Sequence, residues 1–201
     1  MIKTDLMAGF CAKSAFNSLP FRLSQAGLTL LEMMMVMSIA GIIAMLIIPS
    51  AQDIFTQHRI ISELNRTSRL LQYARLQAIT TQQNITVCPS ADYIQCVDNW
   101  TLGKIVFADV NDNAQIDGDE ILLISTEQSE LQTQVSGPKT GVTFYLNGIG
   151  ASPATIQLCD TSTQAQFSRA LFVSLQGRIT TSKDTNGDNV HEKNNGNALR
   201  C

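Results

Sequence analysis

One stretch constrains this chain more than any other: the almost unbroken apolar run from Leu28 to Ile48, closed by Pro49. Its 21 residues would form a helix roughly 31 Å long, the thickness of a bilayer's hydrocarbon core. Glu32 is the single acid inside it. A charge there costs on the order of 2.5–3.5 kcal/mol at mid-membrane and less near the edge. The residue needs a partner or a purpose.

The 27 residues before the run carry Lys3, Lys13 and Arg22 against Asp5 and have no apolar core of their own. The positive-inside tendency keeps such a segment cytoplasmic and sends the chain beyond Pro49 outward. A secretory signal would have a shorter apolar region, about 7–15 residues, without an acid near its start. Cleavage before the run, with the helix left on the mature protein, accounts for both features. The chain's net charge of −3, less the leader's +2, puts the remainder near −5. That acidity argues against a protein that coats nucleic acid, though not against a local basic patch.

Cys11 lies in the leader, whereas Cys88, Cys96, Cys159 and Cys201 all follow the helix. An even number suits two disulfides in an oxidising compartment. Three pairings are open, and Cys88–Cys96 with Cys159–Cys201 closes the shortest loops. Four separate buried thiols are the alternative, which a terminal Cys201 makes awkward.

The helix is expected to continue to Gln83, with Ile54, Ile61, Leu64, Leu71 and Ala78 forming one apolar face suited to a sheet. Arg59, Arg66 and Arg69 cluster on another side and read as a solvated face, with a neighbouring subunit or a polyanion as the competing reading. Beyond Gln83, short β-rich runs occupy 84–87, 104–108, 121–125, 142–146, 155–159 and 170–175, separated by Gly, Pro, Asn and Asp. Residues 126–135 read as a helical turn or loop. The pattern is α+β: a long N-terminal helix packed on an antiparallel β domain.

Gly27-Leu28-Thr29-Leu30-Leu31-Glu32 resembles the class III signal of type IV prepilins: a basic leader ending in Gly, an apolar residue, and Glu at the fifth mature position. Gly41 and Pro49 also stand where pilin helices commonly carry Gly and Pro. Leu28 departs from the usual Phe. The resemblance implies a pilin fold, a leader 1–27 cut after Gly27 by prepilin peptidase, and N-methylation of Leu28. It implies a helix over 28–83 with 28–48 in the membrane, and a globular β-rich domain over 84–201. Glu32 would then meet the amino terminus of a neighbouring subunit, which supplies the purpose the acid lacked.

A second resemblance is to the GspH/FimT family of minor pilins, carried by Trp100, Gly103, Phe107, Asp109-x-Asn111 and Glu120-Ile-Leu-Leu123. Phe144-x-x-Asn147-Gly148 and Phe172-Val-Ser-x-x-Gly177-Arg178 extend it. It implies an inner-membrane, single-pass protein with a periplasmic domain, incorporated in the pilus. Its partners would be other minor and major pilins and the inner-membrane assembly platform. The expected function is assembly or initiation at the pilus tip, supporting twitching motility and DNA uptake. A DNA-binding competence receptor and a minor pseudopilin of type II secretion are the alternatives.

Two loops and one turn hold the ligand questions. Asp109, Asn111, Asn113, Gln115, Asp117 and Glu120 occupy the ligand positions of an EF-hand, but Ala114 stands where the loop needs Gly, and strands flank it. Calcium competes there with a turn held by Asx hydrogen bonds; otherwise no cofactor is expected. Asp184, Asn186 and Asp188 begin a similar pattern whose twelfth position is Asn195. DNA-binding members of the resembled family carry Gly-Arg-x-Arg near the C-terminus. Here Gly177 and Arg178 match, Thr180 replaces the second Arg, and Lys183 is the nearest substitute, so both are DNA-binding candidates. His58 and His191 lack the spacing of a zinc site, and no P-loop or nucleophile elbow occurs, so no enzyme is expected. Trp100 and Phe107 read as core rather than as a base-stacking platform.

Overall fold

The computed structural model describes residues 27–201, the side chains of residues 46–50 excepted. The leader, with its basic residues and Cys11, lies outside the described residues. The chain divides into two units, residues 1–45 and 46–201. One long α-helix, α1, spans Leu30–Thr81.

In the first unit Thr29 starts the helix. Its carbonyl accepts from Met33 N–H and its Oγ1 accepts from Glu32 N–H, both at 3.2 Å. That is the N-cap arrangement, in which a hydroxyl satisfies an amide that the first turn leaves without a partner. Among the described residues no helix is long and apolar enough to cross a membrane. The apolar part whose side chains are described, residues 30 to 45, is 16 residues, about 24 Å. The membrane span expected over 28–48 therefore rests on the sequence.

In the second unit the buried face of α1 is Ile60, Leu64, Thr67, Leu71, Ala74 and Ala78. Their steps of four, three, four, three and four residues keep one stripe on the β domain. The expected face was partly off this stripe: Leu64, Leu71 and Ala78 are buried, but Ile54 is 54% exposed and Ile61 only half-buried. α1 ends two residues earlier than expected because Gln82 takes the left-handed conformation, φ 55°, which a helix cannot continue.

Two antiparallel four-stranded sheets follow. β1 (Ile85–Pro89), β2 (Lys104–Ala108), β3 (Leu122–Ser125) and β5 (Val142–Phe144) pair in the order β3-β2-β1-β5. β4 (Thr133–Ser136), β6 (Ala154–Asp160), β7 (Arg169–Val173) and β8 (Ile179–Thr181) pair as β4-β6-β7-β8. The α+β class holds, and the six expected runs are all strands, 104–108 with the same ends and the other five with shifted ones. β4 falls where a helical turn or loop was expected. Its Thr-Gln-Val-Ser alternates buried and exposed, a period that so short and polar a run hides.

The core joins the helix stripe to Ile85, Val87, Val106, Phe144, Ile156, Leu158 and Leu171. Trp100 is fully buried and its indole N–H donates to Pro138 O at 2.9 Å; Phe107 is fully buried too. Cys88 is joined to Cys96 and Cys159 to Cys201, with sequence separations of 8 and 42. The second bond ties the C-terminal residue to β6.

Candidate assembly surface and binding loops

Among the described residues nothing lies within 4 Å of where a Cβ of Gly27 would stand, and Leu28, the expected new terminus, is 68% exposed. Beyond it Leu30, Leu31, Met34, Met37 and Met45 are each at least 65% exposed. Apolar surface of that extent is stable only against lipid or other protein. Glu32 lies exposed in the first turn of α1, where the helix dipole favours a negative charge. Among the described residues it has no ion-pair partner. Among the described residues the geometry therefore presents an unpaired carboxylate at the start of an apolar helix that none of them covers.

A buried polar cluster fastens the second half of α1 to the β domain. Lys104 on β2 is 1% exposed. Its Nζ reaches Glu63 Oε1 and Ser129 Oγ, each at 2.7 Å, and Ser129 Oγ also donates to Glu63 Oε1 at 2.7 Å. Burial works against the Glu63 charge, but the hydrogen bonds from Lys104 and Ser129, with the charges of Lys104 and Arg66, outweigh it and hold the carboxyl below its ordinary range. Burial also depresses the Lys104 ammonium, and Glu63 only partly restores it.

Arginines extend the fastening. Arg59 pairs with Asp160 at 2.9 Å and donates to Gln132. Burial raises the Asp160 carboxyl, yet Ser162 and Arg59 bring it below its usual value. Arg66 donates to Glu127 O at 3.1 Å. Arg75 donates to Gly148 O at 3.0 Å and Gln176 O at 3.2 Å. The solvated arginine face expected at Arg59, Arg66 and Arg69 is thus corrected: only Arg69 is exposed, because the other two find acceptors on loops distant in sequence.

In the β2–β3 loop the calcium candidates largely bond to one another and to the backbone. Asp109, 1% exposed, accepts from Asn113 N–H and Ala114 N–H and from Thr86 Oγ1. Asn111 and Asn113 donate their amides to Asp117, Gln115 N–H donates to Asn113 Oδ1, and Glu120 accepts from Val110 N–H and Asp117 N–H. Asp112 and Ala114 take positive φ, 58° and 60°, so Ala114 adopts the turn without being Gly. Asp109, Asp117 and Glu120 are not gathered as a three-acid group.

Arg178 is exposed after the β7–β8 turn and lines a groove with Gln72, Arg75, Leu76 and Ile79. Lys183 lies beside Thr181, Glu192 and Lys193 instead. The two are five residues apart along β8 and its extended continuation, roughly 16 Å, and an odd spacing puts them on opposite faces. The structure does not bring the DNA-binding candidates together. His58 is exposed on the helix. His191 is half-buried, its Nδ1 bonded to Ser182 O at 2.8 Å and near Ser182 Oγ at 3.0 Å. Burial pushes its pKa down, with Arg169 adding to the effect.

Sequence reasoning missed Glu63, Lys104, Ser129 and Arg75. The signal available was an acid and a lysine at positions whose neighbours are apolar: Glu63 beside Leu64, and Lys104 beside Ile105.

The family described as type II transport protein GspH matches residues 63–177, and the prokaryotic N-terminal methylation motif matches residues 22–48. Among curated protein sequences none matches significantly. In solved structures the fold is similar to the type IV minor pilin FimU of Pseudomonas aeruginosa, at 19% identity and a TM-score of 0.52, covering 63% of this chain and 90% of that one. The minor pseudopilin EpsH of the type 2 secretion system of Vibrio cholerae is a more distant likeness, 12% identical with a TM-score of 0.45, covering 61% and 95%.

Proposed function

The chain belongs to the family of the type II transport protein GspH, and on that premise we propose that it is a minor pilin that helps to initiate type IV pilus assembly at the filament tip. A filament component with this methylation motif does no chemistry on a substrate; its work is packing. The observation that carries the reading is Glu32, exposed and without an ion-pair partner among the described residues, at the start of a helix whose apolar side chains are uncovered. An acid in hydrocarbon becomes tolerable when a cation meets it. Prepilin peptidase cuts after Gly27, the new Leu28 amine is methylated, and that positive terminus on a neighbouring subunit meets Glu32. Residues 28–48 hold the protein in the inner membrane, with the domain from 84 onward in the periplasm, before the assembly platform extracts it into the pilus. The helix then packs laterally on other minor and major pilins, and the β domain offers contacts at the tip.

Glu32→Ala tests this. The variant should reach the membrane at the level of the parent protein and be absent from sheared pili in immunoblots. Normal incorporation would remove the assembly role of Glu32. The family's description favours a second reading, a minor pseudopilin of a type II secretion system. Deletion separates the two: lost twitching with intact secretion supports the pilus, and the reverse supports secretion.

A further inference from the structure

Beyond β8 the chain makes a tight loop, Asp184-Thr185-Asn186-Gly187-Asp188, and returns through His191 and Glu192. The return is set by backbone pairing: Lys183 and Glu192 form an antiparallel bridge, with Glu192 N–H donating to Lys183 O at 3.0 Å. That register lays Glu192 beside Asp184, although eight residues separate them. One carboxylate oxygen each of Asp184, Asp188 and Glu192 lies within 4.8 Å of the others.

Three acids on a surface loop are commonplace, and by themselves they indicate nothing. Glu192 is different because it is only 6% exposed. Its Oε2 accepts from Thr185 N–H at 2.9 Å and Thr185 Oγ1 at 3.0 Å. Its Oε1 is buried and has no hydrogen-bond partner among the described residues. Among the described residues no lysine, arginine or histidine forms an ion pair with it. Arg169 borders the same pocket as Asp184, but its Nη1 donates to Gln166 O and Ser168 O and no ion pair joins it to the acids. A buried carboxylate, one oxygen of which has neither donor nor cation among the described residues, held close to two further carboxylates, is a costly arrangement unless a positive charge occupies the gap.

We propose that Asp184, Asp188 and Glu192 form a calcium site, with the orphaned Oε1 of Glu192 as its inner ligand. All the donors are oxygens, which selects a hard cation. Calcium accepts six to eight oxygens in irregular geometry, so the three acids, neighbouring loop oxygens and water complete its shell, whereas magnesium demands a near-ideal octahedron. The loop numbering explains why the sequence pattern looked weak. In an EF-hand the closing acid stands at position twelve, here Asn195; in this loop the strand bridge supplies the acid at position nine. With three acids on an open loop, the affinity falls in the range of extracellular calcium modules, a Kd on the order of 10⁻⁴–10⁻³ M.

The test is calorimetric titration of CaCl₂ into the full chain in detergent micelles, with MgCl₂ as the second probe. The site predicts one calcium per chain, binding weakened at least about tenfold by either Glu192→Gln or Asp188→Asn, and binding unchanged by Asp117→Asn in the β2–β3 loop. Asp188 is exposed, so its variant reports even if Glu192→Gln fails to fold. No calcium heat, equal heat in the parent and both site variants, loss of heat in Asp117→Asn, or an equal response to magnesium would each overturn the assignment.

Discussion

Replacing Glu63 by Gln keeps the side chain's volume and removes only its charge. Lys104, 1% exposed, then has no carboxylate within reach among the described residues, where Ser129 is its one other side-chain partner. Removing one member of a buried ion pair typically costs about 3–5 kcal/mol, since the charge left behind is still desolvated. For a chain of this size each kcal/mol shifts Tm by about 2–4 °C, so the drop should be about 6–20 °C. Thermal melts of the full chain in detergent, followed by circular dichroism at pH 7, measure it. The triple variant Glu63→Leu, Lys104→Met, Ser129→Ala removes every polar member and should recover to within about 1 kcal/mol of the parent or exceed it. Ser129 must be included because its hydroxyl otherwise loses both partners.

The pH dependence supplies a second reading of the same cluster. The folded-state carboxyl of Glu63 is held below its ordinary value. Its contribution is therefore present above the unfolded pKa, about 4.3, and is lost as pH falls through the folded value. The parent should lose its margin over Glu63→Gln in that acid window. Lys104 has the opposite sign: its ammonium is depressed, so its cost is present at neutral pH and is relieved as pH rises from the folded pKa towards the unfolded one. Without Glu63 the depression deepens, and the Glu63→Gln deficit should shrink at alkaline pH. A Tm change under about 3 °C at pH 7, or a triple variant no better than the single one, would refute the reasoning.

Two further stability predictions follow from the loops. Chain-entropy arguments assign about 4 kcal/mol to the Cys159–Cys201 bond and about 2.5 kcal/mol to Cys88–Cys96, from separations of 42 and 8; urea midpoints of the two double-serine variants should rank in that order, and a reversed ranking refutes it. Gly177 has φ +71°, and a Cβ there would press on Gly148 O and approach Arg75 Nε at 2.9 Å. Gly177→Ala should therefore cost about 2–6 kcal/mol from strain and crowding together. Gly196→Ala, with φ +81° and nothing within 4 Å, should cost only the strain, about 1 kcal/mol. Equal losses in thermal melts would show that crowding at Gly177 is absent.

What was legible in the sequence was whatever is encoded locally. The apolar run, the acid five residues after Gly27 and the Asx-rich turns each announce themselves within a window of about twenty residues. Apart from β4, the strands from Ile85 to Val173 were readable for the same reason, since β-branched runs alternate with turn residues. The helix stripe was only half legible: Ile54 and Ile61 are as apolar as Ile60 but stand roughly 100–120° round the helix from it, and only the position of the sheets decides which apolar side is covered.

The polar residues divide along the same line, and their division explains the functional reading. Glu32 is conspicuous in the sequence because its surroundings are apolar and no partner is available nearby; it stays unpaired among the described residues because its proposed partner is another subunit. Glu63 and Glu192 look like ordinary surface acids in the sequence. Their burial depends on residues that only the fold brings near: Lys104 and Ser129, 41 and 66 positions from Glu63, and the strand bridge that carries Glu192 over its loop. Of the three, Glu63 is fully matched by described residues, whereas Glu32 and the Oε1 of Glu192 have no partner among them. An acid without a partner among the described residues fits a partner from outside, on the proposals above a neighbouring amino terminus in one case and a divalent cation in the other. The two substitutions therefore separate cleanly: Glu32→Ala should abolish incorporation and leave calcium binding unchanged, because the residues lie in different units, and Glu192→Gln should weaken calcium binding while membrane insertion stays intact.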